Sequence, residues 1–595
     1  MEGCGNISFG DPVAVEREDF CAKIPSSGSA SERLQAILDA DFKFQLCDNP
    51  EFATQAGFHD RDDLLQDLGP RDWEYRIEHN AKILQHLEKL NVDGETDLSK
   101  MQKLHAKLLI SAATDESKAI ELGCHCMPIN SVGIGGVYEN FLELMEWMKF
   151  ETPEDFGKYL QRLMNFPKQA QGWQDLLAYG SGMRGMSASK SMMRKVPERM
   201  QELIDGDLAE LRAPMEGKEL DPELAQQLND AIENCFRASI RGLNDFMSEF
   251  YGGRAREDAG ISAVRNGAEI YELSLKYHTT TNKTAQEIHD LGLSEVARIE
   301  SRFQKDVLDA LSFKGSFQEF VAELKQNKEF FYTSEEDLLS GYRELVSRIN
   351  KKLPAYFEKL PSIPLEVVPQ RKGPAAYYFA GTPDGSRPGR FYVNTTRLHE
   401  RPKYEMVALA LHEGVPGHHL QGALALENKE LPDFLRYIED RRYEFCPARR
   451  PLYTGYLEGW ALYCEKLGEE MGMYSTPYEL FGRLSMEMMR AVRLVVDTGI
   501  HAKGWSVDKA VEYFEEKTGM ARGEAEAECH RYAAWPGQAC AYKVGQLAIE
   551  ELRQRAEASL GDKFDLKAFH GLVLDAGPLP LHILGERVES WISGC

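Results

Sequence analysis

The 595-residue chain carries 70 Lys and Arg against 95 Asp and Glu, a formal charge of −25, with 43% hydrophobic and 28% charged residues. This is globular composition; the acid excess disfavours a nucleic-acid partner, which needs stripes of Lys and Arg, and no apolar run approaches the ~18–20 residues that span a bilayer. The opening residues lack the basic-then-apolar layout of a secretion signal, and eleven scattered cysteines suit free thiols in a reducing compartment, so a cytoplasmic location is expected.

Residues 1–30 are polar and punctuated by Gly and Ser, and read as an extended N-terminal segment. Residues 31–355 carry helical period and are expected to form a helical lobe. Cys124-His125-Cys126 leaves one residue between its cysteines, too few for the usual zinc pair, so structural thiols are expected. Gly133-x-Gly135-Gly136 lacks the context of a dinucleotide loop and reads as a turn. Thr152-Pro153 and Ser334-x-x-Asp337 mark helix starts. Thr284-x-x-Glu287 is a capping box, followed by Ile288, Leu291, Ile299, Phe303 and Val307 on one face.

The pattern changes after residue 355. Leu365–Val368, Ala376–Ala380 and Arg390–Asn394 are β-rich and are separated by turn chemistry, including Pro383-Asp384-Gly385. A small antiparallel sheet at 363–396 is expected, then helices over 403–468 and on to the C-terminus. Residues 356–595 would form a second lobe, and the two lobes one unit around a cleft.

Three of the 15 histidines fall within eight residues of the segment ALALHEGVPGHHLQ at 408–421: His412, His418 and His419. His-Glu followed by His on an apolar helix is the zincin arrangement, in which two imidazoles hold zinc and the glutamate, here Glu413, activates a water. The ordinary motif separates its histidines by four residues, ~40° around the helix and ~6 Å along it. Here the separations are six and seven, so an undistorted helix satisfies neither. Pro416 and Gly417 supply a break, because one lacks a backbone N–H and the other relaxes backbone restrictions. Two extra residues make His418 the counterpart of the second ligand, with His419 as the alternative.

A single ion needs a third ligand. Tyr456-Leu-Glu458-Gly-Trp-Ala-Leu-Tyr-Cys-Glu465 is an apolar helix with two carboxylates seven residues apart on one face. Burying an unpaired charge is costly, and an ion is a suitable partner for Glu458. Glu465 reads more readily as part of a helix-surface pair or as an ion pair with nearby Arg441 or Arg442.

HEGVPGHHLQ with EGWALYCE downstream resembles the hallmark of the proteins filed as domain of unknown function 885. The resemblance runs from about residue 32 to 592 and includes PDGSRPGRFYVNT, DTGIHAKGWS and PGQACAYKVG. That family is grouped with gluzincin-type metallopeptidases, which implies a mainly helical, two-lobed, zincin-like fold with the small sheet beside the active-site helix. EGWALY is similar to the Glu-Gly-Phe-Ala segment in which aminopeptidase-N-like enzymes place their zinc-binding Glu, a role that falls on Glu458. Dipeptidyl-peptidase III has one extra residue in its zinc motif, against two here.

The expected chemistry is hydrolysis of short-peptide amides by one zinc ion per chain on His412, His418 and Glu458, with Glu413 as general base. Tyr542 is the favoured oxyanion donor and His501 the second; Tyr532 and Arg493 are further candidates. The strand Arg390–Asn394 is expected to pair with an extended substrate. A metal-containing scaffold without turnover, or a biosynthetic hydrolase of a non-peptide amide or ester, is the alternative. An intact Glu413 favours the hydrolase, since ion binding needs no general base.

Overall fold

Reciprocal capping starts several helices of this protein, whose computed structural model describes residues 18–130, 136–371 and 373–594. Ser29 with Glu32, Thr152 with Asp155, and Thr284 with Glu287 each close a capping box that satisfies orphan first-turn N–H groups. Ser334 caps Glu335–Asn350 by accepting from the Asp337 N–H. No helix among the described residues is long and apolar enough to cross a membrane.

The chain divides into two compact units, Met1–Ile270 with Pro432–Pro451, and Tyr271–Leu431 with Leu452–Cys595. The divide therefore falls after Ile270 and not near residue 355. The reason is packing: Ala285–Arg302 lies along Pro477–Ala502, and Glu335–Asn350 lies against the sheet and the histidine segment.

In the first unit, Ala30–Asp48, Pro70–Leu90 and Lys100–Leu122 bury Leu34, Ile37, Ile83, Leu87, Ala106 and Leu109 in a shared core. Pro153–Tyr179 contributes a fully buried Arg162, which donates to the carbonyls of Leu64 and Arg61 and to Thr54 Oγ1. The expected extended lead-in is corrected where it is described: Phe20–Lys23 is a 3₁₀ turn that buries Phe20 and Cys21. Residues 1–17 and most of the turn expected at 133–136 lie outside the described residues. Cys124, His125 and Cys126 form a buried 3₁₀ turn in which His125 stacks on Trp73 at 4.5 Å. Burial pushes both thiols up to about 12 and His125 down to about 3, so all three are neutral packing groups.

The second unit is built on two close helix contacts. Thr454–Glu470 and Gln538–Leu560 meet backbone to backbone at Gly459 and Gly545. A Cβ on Gly459 would stand 2.4 Å from the Gly545 carbonyl carbon, and one on Gly545 would stand 1.8 Å from the Gly455 oxygen. Only glycine fits at either place. Pro477–Ala502 packs on the same pair of helices and is buried along nearly its whole length.

Lys543, fully buried on Gln538–Leu560, lies 2.9 Å from Glu295 and 2.6 Å from Glu487. Removing it leaves two buried carboxylates with less positive charge. Lys543→Ala is expected to destabilise by about 3 kcal/mol, at the low end for a broken buried pair because Arg298 and Arg483 also face these carboxylates. A urea midpoint equal to that of the wild type would show that the lysine contributes nothing.

The sheet has three strands, β1 (Leu365–Gln370), β2 (Ala376–Phe379) and β3 (Gly389–Asn394), in the order β1-β3-β2. It is mixed and not antiparallel as expected. β2 and β3 form an antiparallel hairpin, but β3 then inserts beside β1, and those two strands run parallel from Leu365↔Gly389 onward. Asp384 holds the hairpin turn by accepting from Thr382 Oγ1 and from the Ser386 N–H and Oγ. With both edges of β3 occupied, Arg390–Asn394 has no ladder groups left for a substrate strand, which corrects that expectation.

Candidate metal centre

The histidine segment is a broken helix. Met406–Leu409 is α-helical, Ala410–Gly414 widens into a π turn carrying His412 and Glu413, Val415 is extended, and an α-helix restarts at His418. Gly417 makes the fold-back possible, because a Cβ there would stand 1.9 Å from the His412 oxygen. Trp460 Nε1 donates to the Pro416 carbonyl at 2.8 Å and ties the break to the Thr454–Glu470 helix. In an unbroken helix His412 and His418 would lie ~9 Å apart along the axis. With the break, their ring centroids are 4.8 Å apart.

Glu458 completes the group. His412 Nε2 stands 3.3 Å and His418 Nε2 3.5 Å from Glu458 Oε2. One donor atom from each of His412, His418 and Glu458 lies within 4.8 Å of the others, and no other such group occurs among the described residues. Glu458 Oε2 is buried without a hydrogen-bond partner. Buried carboxylate oxygens are rarely left in that state, so a cation held by all three residues fits the donor set.

Glu465, one heptad beyond Glu458, holds His412 from behind: its Oε1 lies 2.8 Å from His412 Nδ1. That bond holds the ring with Nε2 toward Glu458; a cation bound at Nε2 would replace the proton there and leave the one on Nδ1. Glu465 is the contributor that sequence reasoning undervalued, although its spacing from Glu458 was the available signal. Glu465→Gln is expected to weaken metal binding about 10- to 100-fold. Titration with a competing chelator measures it, and an unchanged affinity would remove Glu465 from the site.

The charges agree with this arrangement. Burial alone would lower the His412 pKa, but Glu458 and Glu465 beside it hold it at about 9. Burial alone would raise the Glu458 carboxyl, yet the two histidines hold it well below the usual range. Glu413 is 8% exposed and is pushed up by burial, against the downward pull of His412, His418 and Arg490.

His419 faces elsewhere. Its Nε2 lies 3.1 Å from the Ile363 carbonyl and its Nδ1 3.2 Å from Tyr378 Oη, so both ring nitrogens are occupied. Tyr542 lies on Gln538–Leu560, three residues before the Gly545 that packs on Gly459. Burial and the neighbouring negative charge of Glu458 push its phenol up to about 12, which keeps the O–H as a neutral donor. Tyr532 commits its proton to Glu528 Oε2 at 2.5 Å. His501 is fully buried, bonded to the Tyr532 carbonyl at 2.9 Å and packed on Tyr271, the setting of a core imidazole. Arg493 lies over the Tyr542 ring at 4.7 Å.

Fold and site together define a mainly helical protein with a three-stranded mixed sheet beside a two-His, one-Glu candidate metal centre. The chain belongs to the family described as "Bacterial protein of unknown function (DUF885)", which it matches over residues 50–588. No curated protein matches it. A crystal structure of a candidate lipoprotein from Colwellia psychrerythraea is similar at 27% identity and a TM-score of 0.87, covering 95% of this chain and 100% of that one. A candidate lipoprotein of unknown function from Shewanella oneidensis shares the fold at 18% identity and a TM-score of 0.70, over 94% and 99% of the two chains.

Proposed function

We propose that the protein is a gluzincin-type, zinc-dependent hydrolase of short-peptide amides, with one ion per chain on His412, His418 and Glu458. The supporting observation is Glu458 Oε2, buried without a hydrogen-bond partner opposite two imidazole nitrogens, one of them backed by Glu465. When bound, zinc would supply Lewis acidity and a water of lowered pKa. Glu413, on the same π turn as His412, takes the proton of the attacking water and returns it to the leaving amine. Tyr542 donates its O–H to the developing oxyanion.

Tyr542→Phe is accordingly expected to lower kcat by about 10²–10³-fold while KM changes little. A kcat equal to that of the wild type would move the oxyanion role to another group. Zinc content and peptide-library cleavage, measured on the same preparation, test the whole reading: zinc without cleavage is what a non-catalytic scaffold would give. For the compartment, we keep the cytoplasmic reading. It is supported by the burial of most of the described cysteines, which suits structural thiols in a reducing compartment.

A further inference from the structure

We infer that Arg490 and Arg493 form a carboxylate-binding site beside the metal centre, and that substrates are peptides anchored there by a carboxylate. The inference rests on the hydrolase reading of the same site and names its substrate class. The two arginines are three residues apart on Pro477–Ala502 and so share one face of that helix. Each is 6% exposed.

Their hydrogen bonds are incomplete in a matching way. Arg490 donates from Nη1 to the Met486 carbonyl at 3.2 Å, while its Nε is buried without a partner. Arg493 donates from Nε to Tyr532 Oη at 2.9 Å and from Nη2 to Glu528 Oε2 at 2.8 Å, while its Nη1 is buried without a partner. Leaving a buried guanidinium N–H unmade is unfavourable, and native proteins rarely do so.

Neither arginine has a carboxylate of its own. Glu528, beside Arg493, is shared with Arg531 at 2.9 Å and with Tyr532. Glu465 lies 3.9 Å from Arg490 and is already bonded to His412. Glu405, a further carboxyl that acts on Arg490, is pushed up to about 7 by burial and by Glu524, so its charge is incomplete. Two buried planar donors with N–H groups to spare suit an oxygen anion brought from outside, and a carboxylate matches their fork geometry.

The position ties this anion to the chemistry. Arg490 acts electrostatically on Glu413 and stands 3.9 Å from the Glu465 that holds His412, and Arg493 lies over the Tyr542 ring at 4.7 Å. A carboxylate held by the pair therefore lies close to the base, the oxyanion donor and the metal ligands. On a peptide it comes from the free C-terminus or from an Asp or Glu side chain.

The test is calorimetric binding to the zinc-loaded Glu413→Gln protein, which does not depend on turnover. The probes are trialanine, trialanine amide and Ala-Glu-Ala amide. The free acid, the acidic side chain or both should bind roughly 10- to 100-fold more tightly than trialanine amide, and which one does so identifies the source of the carboxylate. Arg493→Gln, added to that background, should abolish the difference, and Arg493→Lys should restore it only partly because the charge returns without the fork. Equal binding of all three probes, or binding of none, overturns the inference. So does an Arg493→Gln protein that melts like its parent and keeps the full preference. Cleavage by the wild type is followed in parallel, so a failure of the hydrolase reading shows as lost turnover with the binding preference still measurable.

Discussion

Glu413→Gln is expected to keep its zinc and to lose peptide cleavage by about 10²–10⁴-fold. Glu413 is not among the three residues grouped around Glu458 Oε2, so the amide should leave the ion's donors untouched. The substitution nearly preserves volume at an 8%-exposed position, so packing should change little. Only the group that accepts and returns a proton is lost. Metal content and cleavage must therefore separate: the same zinc per chain, with turnover near the limit of detection. Normal cleavage by this variant would make the mechanism wrong as stated, even with zinc in place.

Glu458→Ala is expected instead to lower both measurements together, losing most of the zinc and cleavage as a consequence. Removing a residue that merely backs a ligand costs about 10- to 100-fold in affinity, and removing a ligand should exceed that. The two histidines would remain 4.8 Å apart with no carboxylate between them. Zinc should also raise the melting temperature of the wild type but not of this variant, because an ion that binds only the native state stabilises it by about 2.7 kcal/mol at a hundredfold excess over Kd. Equal zinc content in the two proteins would place the ion elsewhere. The contrast between Glu413→Gln and Glu458→Ala is more informative than either alone, since misfolding would remove zinc and turnover together in both.

Much of the site could be read along the chain because its signals are local. The capping box at Thr284 acts within three residues and closes as expected, and Thr152-Pro153 opens a helix as expected. Pro416 and Gly417 announce a break in the histidine helix, and the break is there. What escaped was set by partners distant in sequence. The parallel pairing of β1 with β3 depends on a strand inserting between two others, which alternation of side chains does not encode. Glu465 could as well have faced a surface cation, and only its 2.8 Å approach to His412, 53 residues away, gives it a role. Arg490 carries no local pattern that sets it apart from other helical arginines.

The sequence by itself determined the kind of residues available and their local geometry: His412, Glu413, His418 and Glu458 on helices, with a break to bring the histidines together. Tertiary structure decided which of them meet. The contact of Gly459 with Gly545 packs the helix of Tyr542 against the helix of Glu458, and Ile363 and Tyr378 draw His419 away from the donors that His418 joins. The physical reason is that a donor's chemistry is local, whereas its usefulness depends on which buried groups are left for it once the core has packed.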